Sequence, residues 1–102
     1  MAVHGEVDIL TSAFLRQELI NLANPPLPSQ IVDLRGVTFM DATGLGVFVG
    51  AQKRAAAVGA EIILVMEQPF LDRLFRITGL NRAFRVFATL DDAEATLVPL
   101  AS

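Results

Sequence analysis

Short β-branched runs and helix-period stretches alternate along this chain, each pair separated by glycine or proline, and that rhythm constrains the fold more than any other feature. Ile31-Val32-Asp33-Leu34 is bounded by a proline-rich segment and by Gly36, which predicts a strand. Glu61-Ile62-Ile63-Leu64-Val65-Met66 is an unbroken apolar run after one acid, the pattern of a strand covered on both faces. Arg85-Val86-Phe87-Ala88 predicts a last strand. Between them, Leu15, Leu19 and Leu22 recur at i, i+4 and i+7, with Arg16, Gln17, Glu18 and Asn21 on the other side. Thr11 is the expected N-cap of that first helix, which ends before Pro25.

A second helix is expected from Asp41 or Thr43, either of which could cap it, to about Val58, where Gly59 supplies the left-handed residue after its end. Pro69 suits the first turn of a third helix carrying Leu71, Leu74, Phe75 and Ile77, closed by Gly79. Thr89 with Asp92 three residues on predicts the start of a fourth. The segment Asn24-Pro25-Pro26-Leu27-Pro28-Ser29 reads as a connector within one domain, because its prolines remove backbone donors and halt a helix. Only Ala2-Val3-His4 precede an expected turn at Gly5, so the first strand is expected to be short or incomplete. The fold class is therefore α/β, with about four strands in a mostly parallel, mixed sheet and four helices, in a single domain over residues 1–102.

Composition narrows the function. Hydrophobic residues make up 53% of the 102, enough for a sheet covered on both faces or for a core plus one apolar docking patch, and too many for disorder. Eight basic residues against eleven acidic ones leave a net charge of −3, the wrong sign for binding nucleic acid through its phosphates. With no cysteine and one histidine, there is no disulfide framework, no thiolate or zinc site and no cysteine nucleophile. No apolar run approaches the roughly 18 residues that span a bilayer, and Met1 to Glu6 lack a signal-peptide pattern, so a cytoplasmic location without membrane insertion is expected. His4 has no companion ligand and reads as a surface residue at a strand end. Asp8, Asp33 and Asp41 do not suggest a metal pocket, because the only lysine, Lys53, falls in mid-helix. No Ser/His/Asp or paired-carboxylate arrangement can be placed, so no catalytic residue, cofactor or metal is expected.

The informative stretch is Phe39-Met40-Asp41-Ala42-Thr43-Gly44-Leu45-Gly46, read as a buried loop leading into a helix start. Small residues at 42, 43, 44 and 46 leave first-turn N–H groups open, which with the helix dipole favours an added anion. A phosphate on Thr43 would sit at that positive end, two residues from Asp41. The alternative is a capped helix with glycine for close packing.

The same stretch resembles the Asp-Ser-Ser/Thr-Gly-Leu-Gly signature of STAS domains, the family of bacterial anti-sigma factor antagonists. Gly5-Glu6-Val7-Asp8 is similar to that family's Gly-Glu-Leu-Asp turn, Ile31 to Leu34 to its central strand, and Arg73-Leu74-Phe75-Arg76-Ile77-Thr78-Gly79-Leu80 to its Arg-Leu-Phe-x-x-Ser/Thr-Gly-Leu segment. The resemblance implies a STAS-type fold whose first family strand is short or missing here. It implies partner switching, in which a non-enzymatic antagonist captures an anti-sigma factor that is also a serine/threonine protein kinase, frees the sigma factor, and is released once phosphorylated. Docking would use Asp41, Ala42, Thr43, Gly44, Leu45 and Gly46, with Asp8 beside them. The family's acceptor hydroxyl follows the Asp, a position held here by Ala42, so either Thr43 takes the phosphate or it is a structural helix-start residue. Two other roles found among STAS domains are a small cytoplasmic subunit of a lipid-transport ABC complex and a module sensing a nucleotide or another small molecule near Asp8 and Asp41. An exposed sheet edge would also allow a homodimer.

Overall fold

The computed structural model describes residues 1–22 and 29–97. Its elements are β1 (Ala2–Val7), α1 (Ser12–Leu22), β2 (Ser29–Met40), α2 (Ala42–Ala57), β3 (Glu61–Val65), α3 (Pro69–Ile77), a 3-10 turn (Leu80–Arg82), β4 (Arg85–Phe87) and α4 (Leu90–Ala95). Residues 24–28 of the expected proline connector lie outside the described residues, as does the side chain of Leu22. The four strands form one sheet in the order β1-β2-β3-β4, and all three pairings are parallel, so the expected mixed sheet is uniformly parallel among the described residues.

Strand alternation sorts the apolar residues onto two faces. On one face, Val32, Leu34, Ile62 and Leu64 pack with Leu15 and Leu19 of α1, Leu45, Phe48, Ala51 and Ala55 of α2, and Leu71 and Phe75 of α3. On the other, Ile63 and Val65 meet Ala93 of α4, flanked by Ile31, Phe87 and Leu90. Coverage on both faces is why the apolar run in β3 does not alternate. Phe75 and Phe84 close one end of the larger core edge to face, with centroids 5.9 Å apart at 72°.

β1 and β2 run further than their sequences suggest. Gly5 is not a turn; it lies inside β1 at φ 75°, beside a register shift, and β1 pairs with β2 from Ala2 to Val7. Gly36 likewise does not end β2. It lies at a second shift, where the β2 partner advances from Asp33 to Gly36 while β1 advances only from Ala2 to His4. An extra residue on one strand is a bulge, and it re-aims the side chains beyond it. A Cβ at Gly36 would overlap Nδ1 of His4, so the imidazole occupies that space. Phe39 and Met40, expected in a loop, are the last residues of β2.

Two glutamines satisfy backbone groups that the sheet leaves over. β3 pairs with β2 only as far as Asp33, and beyond it the Gln68 side-chain amide donates to the carbonyls of Leu34 (2.7 Å), Arg35 (3.0 Å) and Val37 (2.8 Å). Gln52 of α2 accepts from the Ile62 N–H at 2.7 Å and donates to the Ala83 carbonyl at 2.8 Å, locking α2 to β3 and to the 3-10 turn.

Candidate functional site

The parallel sheet brings the carboxyl ends of β1 and β2 side by side. Val7 pairs with Met40, so the residues that follow them, Asp8 and Asp41, lead into α1 and α2 at the same edge. The Asp41 N–H donates to the Val7 carbonyl at 3.2 Å, extending the ladder by one bond into the site.

Each aspartate organises its own turn. Asp8 Oδ1 accepts from the N–H groups of Leu10 (2.9 Å) and Thr11 (3.1 Å), an Asx-type turn ahead of α1. Thr11 precedes α1 as expected, but its hydroxyl turns back, donating to the Glu6 carbonyl at 3.0 Å and accepting from the Asp8 N–H at 3.0 Å. Asp41 has extended backbone (φ −107°, ψ −175°), and its Oδ1 accepts from the Gly44 N–H at 3.0 Å. Of the two expected caps for α2, Asp41 performs the task and Thr43 does not. The helix start therefore already holds its own carboxylate, so the Gly44 N–H is not open to an added anion.

The expected docking residues divide into two groups. Ala42, Thr43 and Gly46 are exposed, Asp8 and Asp41 are half-buried, and Gly44 and Leu45 face inward. A Cβ at Gly44 would stand 2.6 Å from Val7 Cγ1 and 3.0 Å from the Val7 carbonyl, so this glycine lets α2 sit directly on the end of β1. Leu45 belongs to the core. These two support the surface from beneath, while the Thr43 hydroxyl makes no hydrogen bond among the described residues.

Beside this edge lies a feature that sequence reading missed. Ile9 and Leu10 of the β1–α1 turn are exposed by 72% and 87%, while Phe14, 73% exposed in the first turn of α1, lies toward β1 with Val3, His4 and Glu6. Two adjacent exposed large apolar side chains in a turn suit an interaction surface. The signal was in the sequence, as an apolar pair between Asp8 and Thr11 within a turn, where burial is hard to arrange.

Three ion pairs elsewhere among the described residues are structural. Asp33 is paired with Arg35, whose Nε and Nη2 donate at 3.0 and 2.8 Å. Those bonds, followed by the opposing effect of burial, the Arg35 backbone N–H, the Arg35 charge and His4, hold the Asp33 carboxyl below its ordinary pKa. Arg76 pairs with Asp72 one helical turn away, and Arg85 with Glu61 across β3 and β4. Among the described residues no three Asp, Glu or His side chains converge as metal ligands. No helix among them is long and apolar enough to cross a membrane.

Residues 1–93 match the STAS domain family. The chain is 41% identical over 79 residues to the anti-sigma-B factor antagonist of Bacillus subtilis, an alignment covering 78% of this chain and 72% of the relative. An anti-sigma factor antagonist from Mycobacterium paratuberculosis superposes with a TM-score of 0.83 at 29% identity, over 93% of this chain and 80% of that one. The anti-sigma factor antagonist SpoIIAA in its unphosphorylated form superposes with a TM-score of 0.81 at 22% identity, over 99% and 88% of the two chains, a likeness of fold. SpoIIAA has also been solved phosphorylated. With its four-stranded α/β sheet, its Asp41-capped α2 and these matches, this chain belongs to the STAS domain family.

Proposed function

We propose that this protein is an anti-sigma factor antagonist that works by docking: it captures an anti-sigma factor on the edge formed by the β1–α1 turn and the start of α2, and so frees a sigma factor. The observation that carries this reading is the exposure of Ile9 and Leu10, in the turn that follows Asp8, at the same sheet edge as the Asp41-capped start of α2, in a chain 41% identical to an anti-sigma-B factor antagonist. Apolar anchors supply affinity, and the small residues Ala42 and Gly46 let a partner approach the α2 backbone closely. No bond in the substrate sense is made or broken by the antagonist itself.

Control of the complex falls to Thr43. Ala42 has no hydroxyl, whereas Thr43 is exposed and its hydroxyl is not needed as a cap. A kinase-type anti-sigma factor would pass the terminal phosphoryl group of ATP to Thr43 Oγ1, releasing ADP and a proton. The product carries roughly 1.5 to 2 negative charges at neutral pH on the docking surface, close to Asp41. That charge suits the first turn of α2, so the fold tolerates it, and it opposes a partner surface fitted to a neutral hydroxyl.

The test is displacement. Added to a preformed complex of the anti-sigma-B factor and sigma-B of Bacillus subtilis, the protein is expected to release the sigma factor and to co-elute with the anti-sigma factor in size-exclusion chromatography. A complex that stays intact at a large excess of the protein contradicts the reading.

A further inference from the structure

A groove of about 280 Å³ runs between α1 and α2, lined by Arg16, Thr43, Gly46, Val47, Gly50 and Arg54. It holds two guanidinium groups and no acidic side chain, in a chain whose net charge is −3. The three ion pairs among the described residues use Arg35, Arg76 and Arg85, and neither Arg16 nor Arg54 makes a side-chain hydrogen bond among those residues. Two exposed cations left without acidic neighbours in an acidic protein form a local field that draws anions.

The shape of the groove narrows what it can hold. Arg54 folds back along α2, its Nη1 3.4 Å from where a Gly50 Cβ would stand. From Thr43 to Gly50 is seven residues of helix, about 10 Å at a rise of roughly 1.5 Å per residue. An extended peptide covers that distance in about three residues, at roughly 3.3 Å each. Arg16 belongs to α1 and Arg54 to α2, so acidic side chains of one extended segment can each meet a guanidinium. A Cβ at Gly46 would meet nothing within 4 Å, so the floor is open to a close approach of backbone.

We propose that this groove seats an extended acidic segment of the anti-sigma partner, with Arg16 and Arg54 as its counter-charges. The proposal rests on the antagonist reading above and deepens it, because Thr43 belongs both to the groove and to the α2 start. A phosphate on Thr43 then acts twice: it offers Arg16 a competing anion and repels the incoming carboxylates at the mouth of the groove.

The test is isothermal titration of the anti-sigma-B factor of Bacillus subtilis into the wild type and into Arg16→Glu, Arg54→Glu and the double variant, with Arg82→Glu as an exposed charge change outside the groove. Circular dichroism establishes that each variant is folded. The expected result is about a tenfold or greater loss of affinity for each groove variant, a flatter salt dependence for the double variant, and wild-type affinity for Arg82→Glu. A hexaglutamate peptide is expected to compete with the anti-sigma factor for the wild type. A folded double variant that binds as the wild type does overturns the groove while leaving the antagonist reading standing. Equal losses in Arg82→Glu overturn it by showing a general charge effect, and competition by ATP but not by the peptide overturns it in favour of a nucleotide site. A wild type that binds no anti-sigma factor removes both proposals.

Discussion

Gly44 rests against Val7 so closely that a Cβ added at position 44 would stand 2.6 Å from Val7 Cγ1, the tightest approach between α2 and the sheet among the glycines of the site. The contact sets the height of the α2 start above the end of β1, and with it the positions of Asp41 and Thr43. Gly44→Ala is expected to lower stability by about 1–3 kcal/mol, the usual cost of overpacking a close contact. Gly46 faces open space in the same helix, so Gly46→Ala is expected to raise stability by roughly 0.5–1 kcal/mol through helix propensity. Urea unfolding of the two variants checks both signs. Equal effects would mean that the glycines are interchangeable helix residues.

Gln68 holds the bulged half of β2 through three carbonyls at 2.7 to 3.0 Å. Gln68→Ala leaves those acceptors without the amide, and a loss of about 1–3 kcal/mol is expected. Amide exchange in β2 beyond Asp33 is expected to accelerate more than in β3. A uniform acceleration across the sheet would show that Gln68 is not a local clamp.

Acid weakens the Asp33–Arg35 pair. Because the folded pKa of Asp33 is depressed, the unfolded chain takes up that proton first as the pH falls. The contribution of the pair is full above the unfolded value of about 3.9 and is lost as the pH drops through the folded one. The stability gap between wild type and Asp33→Asn is thus expected to be constant from pH 7 to about pH 5 and to shrink below about pH 4. A gap that persists unchanged to pH 2 would assign the effect to packing.

Ile9 and Leu10 are exposed by 72% and 87%, so Ile9→Ser and Leu10→Ser are expected to change stability by no more than about 0.5 kcal/mol. If they anchor the partner, capture of the anti-sigma factor falls about tenfold or more for each, since truncated interface anchors typically cost above 1 kcal/mol. Titration with unchanged affinity would take the β1–α1 turn out of the docking surface.

Most of the architecture was legible because helix ends carry local chemistry. Asp41 caps α2, Thr89 accepts the Asp92 N–H at 3.1 Å, and Gly59 and Gly79 take the positive φ that ends the helices before them. The two strands that lead into the site were harder to read. Gly5 and Gly36 look like breaks, and only the pairing of β1 with β2 shows that they are tolerated inside strands at register shifts. Gly44 illustrates the same difficulty within the site. Its type was visible, but its reason, the contact with Val7, lies 37 residues away in sequence. Nor could sequence assign the cap between Asp41 and Thr43, and that choice leaves the Thr43 hydroxyl without a hydrogen bond among the described residues.

The central claim is that the start of α2 captures an anti-sigma factor under the control of Thr43. Its most direct test is titration of the anti-sigma-B factor into the wild type, Thr43→Val and Thr43→Glu, each first shown to be folded. The account predicts capture by the wild type and by Thr43→Val with similar affinity, and a loss of about tenfold or more for Thr43→Glu. Equal affinity for all three proteins would contradict it.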